Sequence, residues 1–177
     1  MGTKMKHTSS PSSFLKKTLL MLTLMGSAAF AQTYPDKNIK ILQGFAPGGN
    51  ADAIARAVGT EISKSLGQAV VVEAQAGAGG TIAATTVAKA KPDGYTLLLA
   101  TGGHAVAGAI YNNLNYKTVQ DFEMISTITY FPFLVVVSAD NKIANFPALM
   151  AQAKANPGKV AYGTAGIGST HHLAGEL

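Results

Sequence analysis

The chain has 177 residues, no Cys, no Trp, 47% apolar and 13% charged residues, and a formal net charge of +5. The missing Cys excludes disulfides and thiolate metal sites. The positive charge belongs largely to the first 31 residues, which hold Lys4, Lys6, Lys16 and Lys17 and no acidic residue.

Those 31 residues read as an export signal: a basic start, an apolar run over 19–25, and a small-residue cleavage site at Ala29-Phe30-Ala31. The run falls short of the ~20 apolar residues that a membrane span needs. No Cys adjoins the cleavage site to carry a lipid. Cleavage after Ala31 leaves 146 residues, in which Lys plus Arg drops from 14 to 10 against 9 acidic residues. A nucleic-acid interface thereby loses its electrostatic basis. An exported chain without Cys fits a bacterial periplasm, and the remaining length suits a globular domain.

After a tail over 32–38, strands and helices alternate. Residues 39–43 form a buried strand. Pro47-Gly48-Gly49 turns the chain into a helix over 52–66, with Ile54, Val58, Ile62 and Leu66 on one stripe, Asn50 or Asp52 as cap, and Gly67 at its end. A β-branched strand over 69–73 leads to Gly77-Ala78-Gly79-Gly80 and an Ala-rich helix over 81–90. Lys91-Pro92-Asp93-Gly94 stops that helix, and a third strand covers 95–100. Thr101-Gly102-Gly103 opens a short helix through Ile110. Further strands are expected at 124–129, 134–138 and 160–163. A helix capped by Asn145, with Pro147 in its first turn, ends near Asn156-Pro157-Gly158. A third glycine-rich turn, 164–169, precedes a helix over 170–177. The pattern predicts a parallel α/β sheet with ligand loops at the carboxyl ends of its strands. The last strand–turn–helix unit reads as cut short, so more chain is expected beyond Leu177.

The glycine turns fail the common nucleotide templates. None is followed by the Lys and hydroxyl residue of a phosphate loop. The turns at Gly77 and Gly166 place Ile82 and His171 where a dinucleotide fingerprint needs its third glycine. Ser169 lies outside a G-x-S-x-G elbow. His172 and Glu176 are one helical turn apart, but two ligands do not make a metal site. His104 reads as a helix-start residue or a ligand donor. Only one arginine, Arg56, remains in the mature chain, near Asp52 and Glu61 in sequence. Anion binding therefore falls to backbone N–H groups and hydroxyls rather than to guanidinium forks. Asp52 reads as a helix cap or as a partner for a ligand ammonium.

The segments 45–56, Leu66 to Glu73, Gly77 to Gly80, Ala90 to Leu98, Asp121-Phe122 and Tyr162 to Leu173 follow one another as in a known pattern. They give the chain a resemblance to the Bug family, the periplasmic solute receptors of tripartite tricarboxylate transporters. The resemblance implies a type II periplasmic-binding-protein-like α/β fold, with two lobes around a cleft. It implies a first lobe over 32–130 and the start of a second over 131–177. It implies a receptor, monomeric at full length, that has no catalysis and no cofactor and passes a small carboxylate to membrane permease subunits. The ligand-holding loops carried over are Phe45, Ala46, Pro47, Gly48, Gly49 and Asp52; Thr101 and His104; and Gly166, Gly168, Ser169, Thr170 and His171. Gln43-Gly44 departs from the family, which has an apolar residue and Pro there. Ala74-Gln75-Ala76 departs before the second glycine turn. The competing expectations are an exported α/β hydrolase using Ser169 and a His, and a fragment without function whose unpaired strand edges aggregate.

Overall fold

The computed structural model describes Gly2 and residues 34–177; the expected export signal, Gly2 apart, lies outside the described residues. Residues 35–177 form one compact unit. In chain order it contains β1 (Ile39–Gln43), α1 (Asn50–Leu66), β2 (Val70–Ala74), a 3-10 turn (Ala78–Gly80), α2 (Thr81–Ala88), β3 (Thr96–Leu99), α3 (Gly102–Ile110), α4 (Phe146–Ala155) and α5 (Thr170–Glu176).

The three strands form one parallel sheet in the order β2-β1-β3, with Ile41 opposite Val72 on one side and Leu97 on the other. β1 is central, which explains why Ile39, Ile41, Leu42 and Gln43 are all buried. Alternation and register put Ile39, Ile41 and Gln43 on the same face as Val70, Val72 and Ala74. That face receives α1. A Cβ on Gly59 would lie 3.1 Å from Val70 Cγ1, and Ala55, one turn earlier, is fully buried. The opposite face carries Leu42 and is covered by α2 through buried Ala83 and Ala84. Right-handed crossovers require this arrangement: the step from β1 to β2 and the return from β2 to β3 run in opposite directions, so their helices fall on opposite faces. The connections diverge at the carboxyl ends of β1 and β3, the position where sheets of this kind hold ligands.

Most element bounds match expectation within two residues, but α1 starts earlier. Gly49 is its N-cap, and neither Asn50 nor Asp52 caps it. Asn145 does cap α4, its side chain accepting the Ala148 N–H at 2.9 Å. The strands expected at 124–129, 134–138 and 160–163 are absent. Those segments are rich in β-branched and aromatic residues, but strand preference is a preference for a packed, paired surface. Among the described residues no strand lies beside them, and Ile125, Leu134 and Val136 are about 80% exposed (80%, 80% and 82%). No helix among the described residues is long and apolar enough to cross a membrane.

Candidate functional site

The first loop leaves β1 at Gln43. The Phe45 N–H turns back to donate to Gln43 Oε1 at 2.8 Å. Ala46, Pro47, Gly48 and Gly49 are exposed. The first intrahelical bond of α1 runs from Ala53 N–H to Gly49 O at 3.0 Å, and no side chain caps the start. The N–H groups of Asn50, Ala51 and Asp52 thus point out of the helix, toward the positive end of its dipole. Asp52 is turned sideways. Its Oδ2 accepts the Gly48 N–H at 3.0 Å and Arg56 Nε at 2.9 Å. The Arg56 hydrogen bond first, then the Gly48 N–H, hold its carboxyl below the usual carboxylate range, against the opposing effect of desolvation. The only arginine in the sequence is therefore engaged in fixing the loop.

The turns at Gly79 and at Gly102-Gly103 meet the glycine turn over 164–169 and the start of α5. Gly79 has φ +62°, and a Cβ there would lie 2.8 Å from Gly168 C and 2.9 Å from Gly168 O. A Cβ on Gly103 would lie 3.1 Å from the same Gly168 O, and one on Gly102 would lie 2.7 Å from Thr170 Cγ2. Tyr111 Oη donates to Ile167 O at 3.0 Å, latching the turn from outside. Beneath this junction lies a void of about 10 Å³, lined by Gly44, Phe45, Gly79, Gly80, residues 98–101 and His104. It sits at the carboxyl ends of β1 and β3. Its volume is at the threshold for one water.

His104 is held by its surroundings. Nε2 lies 2.8 Å from Thr118 O, which only accepts, so Nε2 donates there, and Nδ1 is buried without a hydrogen-bond partner. The ring lies parallel to Tyr116 and edge-on to Phe122, at centroid distances of 5.8 and 4.8 Å. Ser169 is fully buried, and its Oγ accepts the His172 N–H at 3.2 Å as the N-cap of α5. His171 is exposed and its ring packs on Phe133. His172 Nε2 lies 4.0 Å from Glu176, whose carboxylate also accepts from Tyr162 Oη. Among the described residues no group of three or more His, Asp and Glu is placed to hold a metal.

Of the residues singled out in the sequence, Phe45, Thr101 and His104 share the void, and Gly168 and Thr170 close over the neighbouring glycines. Ala46 to Gly49 form an exposed rim, while Asp52 supports that rim from below. Gly166 lies in the turn itself, where its carbonyl accepts the Ser169 N–H. Gly79, Gly80 and Tyr111 lie at the same junction, outside the residues expected from the sequence. The two glycines carried a signal in the second glycine turn, whereas nothing in the sequence marks Tyr111. A larger groove of about 380 Å³ runs between Ala78, Thr81, Ile82 and Thr85 and residues 110–115, and it contains none of the expected site residues.

The parallel α/β sheet with glycine turns at its carboxyl edge is shared with solved periplasmic binding proteins. Among solved structures, the chain superposes on R. palustris Rpa4515 with adipate at a TM-score of 0.76 and 32% identity, covering 81% of this chain and 48% of that one. It superposes on the periplasmic binding protein BugD at a TM-score of 0.68 and 36% identity, covering 80% and 48%. The family model "Tripartite tricarboxylate transporter family receptor" matches residues 54–177, and the chain belongs to that family. A curated relative, the UPF0065 protein of the TAR-I ttuE-ttuC' intergenic region of Agrobacterium vitis, is 43% identical over 160 residues, covering 90% of this chain and 46% of the relative. The chain spans about half the length of the curated relatives it matches.

Proposed function

We propose that the chain supplies carboxylate-holding loops of a periplasmic receptor that captures a small organic acid for the permease subunits of a tripartite transporter. The observation that carries this reading is the uncapped start of α1, at the end of the loop whose first residues, Gly44 and Phe45, line the void at the ends of β1 and β3, with Arg56 tied to Asp52. Backbone N–H groups at a helix start bind anions without a cationic side chain. The Asp52 charge, the obvious obstacle to an anion, is balanced by Arg56 and the Gly48 N–H. Adipate in Rpa4515 points to a dicarboxylate as the ligand class. Residues 1–31 act as the export signal, residues 32–130 belong to a first lobe, and residues 131–177 open a second. The role is binding without catalysis. Ser169, buried and committed to capping α5, gives a hydrolase no nucleophile placed beside a base.

Entry of a carboxylate requires the turn around Gly168 to lift from Gly79 and Gly103, since about 10 Å³ is too small for it. Thermal melts across a panel of dicarboxylates, tricarboxylates and monocarboxylates test the proposal. A ligand at 100 times its Kd adds ~2.7 kcal/mol of stability. A panel-wide absence of stabilisation contradicts it.

A further inference from the structure

Gln43 is a polar residue at a position that its neighbours make apolar. It lies on the central strand, on the α1 face, in register with Ala74 and in line with Ile39 and Ile41. Its side chain is fully buried. One end of the carboxamide is engaged, since Oε1 accepts the Phe45 N–H at 2.8 Å. The other end, Nε2, is buried without a hydrogen-bond partner, and so is Asp52 Oδ1, on a residue only 5% exposed. The two lone atoms are complementary, a donor and an acceptor. Gln43 lies on the sheet face that α1 covers, and Asp52 is the first of the residues, Asp52, Ala55 and Gly59, that α1 buries, so the two lone atoms share the layer between helix and central strand without a formed hydrogen bond. A small rotation of the carboxamide, or one bridging water, completes the link.

We propose that Gln43 is a positioning residue that clamps the Phe45–Gly48 loop at both ends. Oε1 holds the Phe45 N–H. Nε2 holds Asp52 Oδ1, and through Oδ2 of the same carboxylate it holds the Gly48 N–H. The loop that presents N–H groups to the ligand is thereby fixed to the central strand by one side chain. Its functional weight rests on the carboxylate-receptor reading, whereas the clamp itself is a property of the ligand-free chain. The groups facing Asp52 are Arg56 from α1, Gly48 from the loop and Gln43 from β1. Lys40 and Glu73 pair at 2.7 Å, and alternation puts them on the opposite face of the sheet.

Nuclear magnetic resonance of the unmodified chain and two variants tests the clamp. In the unmodified chain the two Gln43 amide protons are expected to be slow to exchange and to shift as Asp52 titrates. Gln43→Glu keeps an acceptor for Phe45 but loses the donor, so exchange at Gly48 rises by about tenfold while Phe45 stays protected. Gln43→Leu loses both functions, and both amides exchange faster. Gly48 exchange unchanged in Gln43→Glu, or Gln43 amide protons indifferent to the Asp52 titration, overturns the clamp. If neither variant folds, the titration of the unmodified chain decides. Loss of adipate binding with these signatures intact overturns the carboxylate reading and leaves the clamp standing.

Discussion

Placing a methyl group between the glycine turns gives a direct measure of their contact. Gly79→Ala puts a Cβ 2.8 Å from Gly168 C and 2.9 Å from its carbonyl oxygen, both backbone atoms that cannot rotate aside. It also forces a side chain into φ +62°. The left-handed conformation costs roughly 1–2 kcal/mol, and overpacking adds roughly 1–3 kcal/mol. Gly48→Ala is the control. It has φ +82° and nothing within 4 Å of its Cβ, so it carries the conformational cost alone. The difference between the two variants, about 1–3 kcal/mol by the overpacking range, lowers Tm further by about 2–4 °C per kcal/mol. Should the turn undock rather than the whole unit melt, the same energy appears as faster hydrogen exchange at the Ser169 N–H, which bonds to Gly166 O at 3.1 Å. Paired melts and exchange measurements read both outcomes. Equal losses at positions 79 and 48, with unchanged exchange at Ser169, refute the backbone contact between the turns.

Three further outcomes follow from other parts of the molecule. The folded-state pKa of Asp52 lies below its unfolded value of about 3.9, so its stabilisation is complete above that pH and is lost as pH falls through the folded value. Melts of Asp52→Asn are therefore expected to decline less steeply below about pH 4 than those of the unmodified chain. Asn145→Ala removes the bond to the Ala148 N–H and destabilises α4 by ~1 kcal/mol, read as faster exchange at Ala148; α4 buries no residue, so the global Tm moves little. Leu134 and Val136 are 80% and 82% exposed, an apolar stretch that favours association; the double variant Leu134→Lys, Val136→Lys raises the monomer fraction in sedimentation at high protein concentration.

The first half of the fold was legible because local pattern and tertiary demand agree there. Residues 39–43 and 70–74 find parallel partners, and α1 ends at Gly67 through an N–H bond to Ser63 O, but the residues α1 buries are Asp52, Ala55 and Gly59, while the expected stripe of Ile54, Val58 and Ile62 is half-buried and Leu66 is exposed. The second half was misread where strand preference had no partner to satisfy it, over 124–138 and 160–163. Within the site, the Arg56–Asp52 pair was legible from its spacing of four on a helix. The hold of Thr118 O on His104 was not, because it spans 14 residues through a loop. The seating of Gly168 on Gly79 and Gly103 is equally non-local, and glycines advertise a turn without saying what will approach it. Gln43 stood out as a departure from the family pattern, but only the structure reveals its complete burial and its engagement at one end.

Titration of the isotopically labelled chain with adipate, followed at its backbone amides, tests the central claim most directly. The account predicts saturable shifts concentrated at Gly48, Gly49, Asn50 and Ala51 and around Gly168 to Thr170, with the latter showing the turn lifting. Shifts scattered over lysine-bearing surface, or none at the α1 start, contradict it.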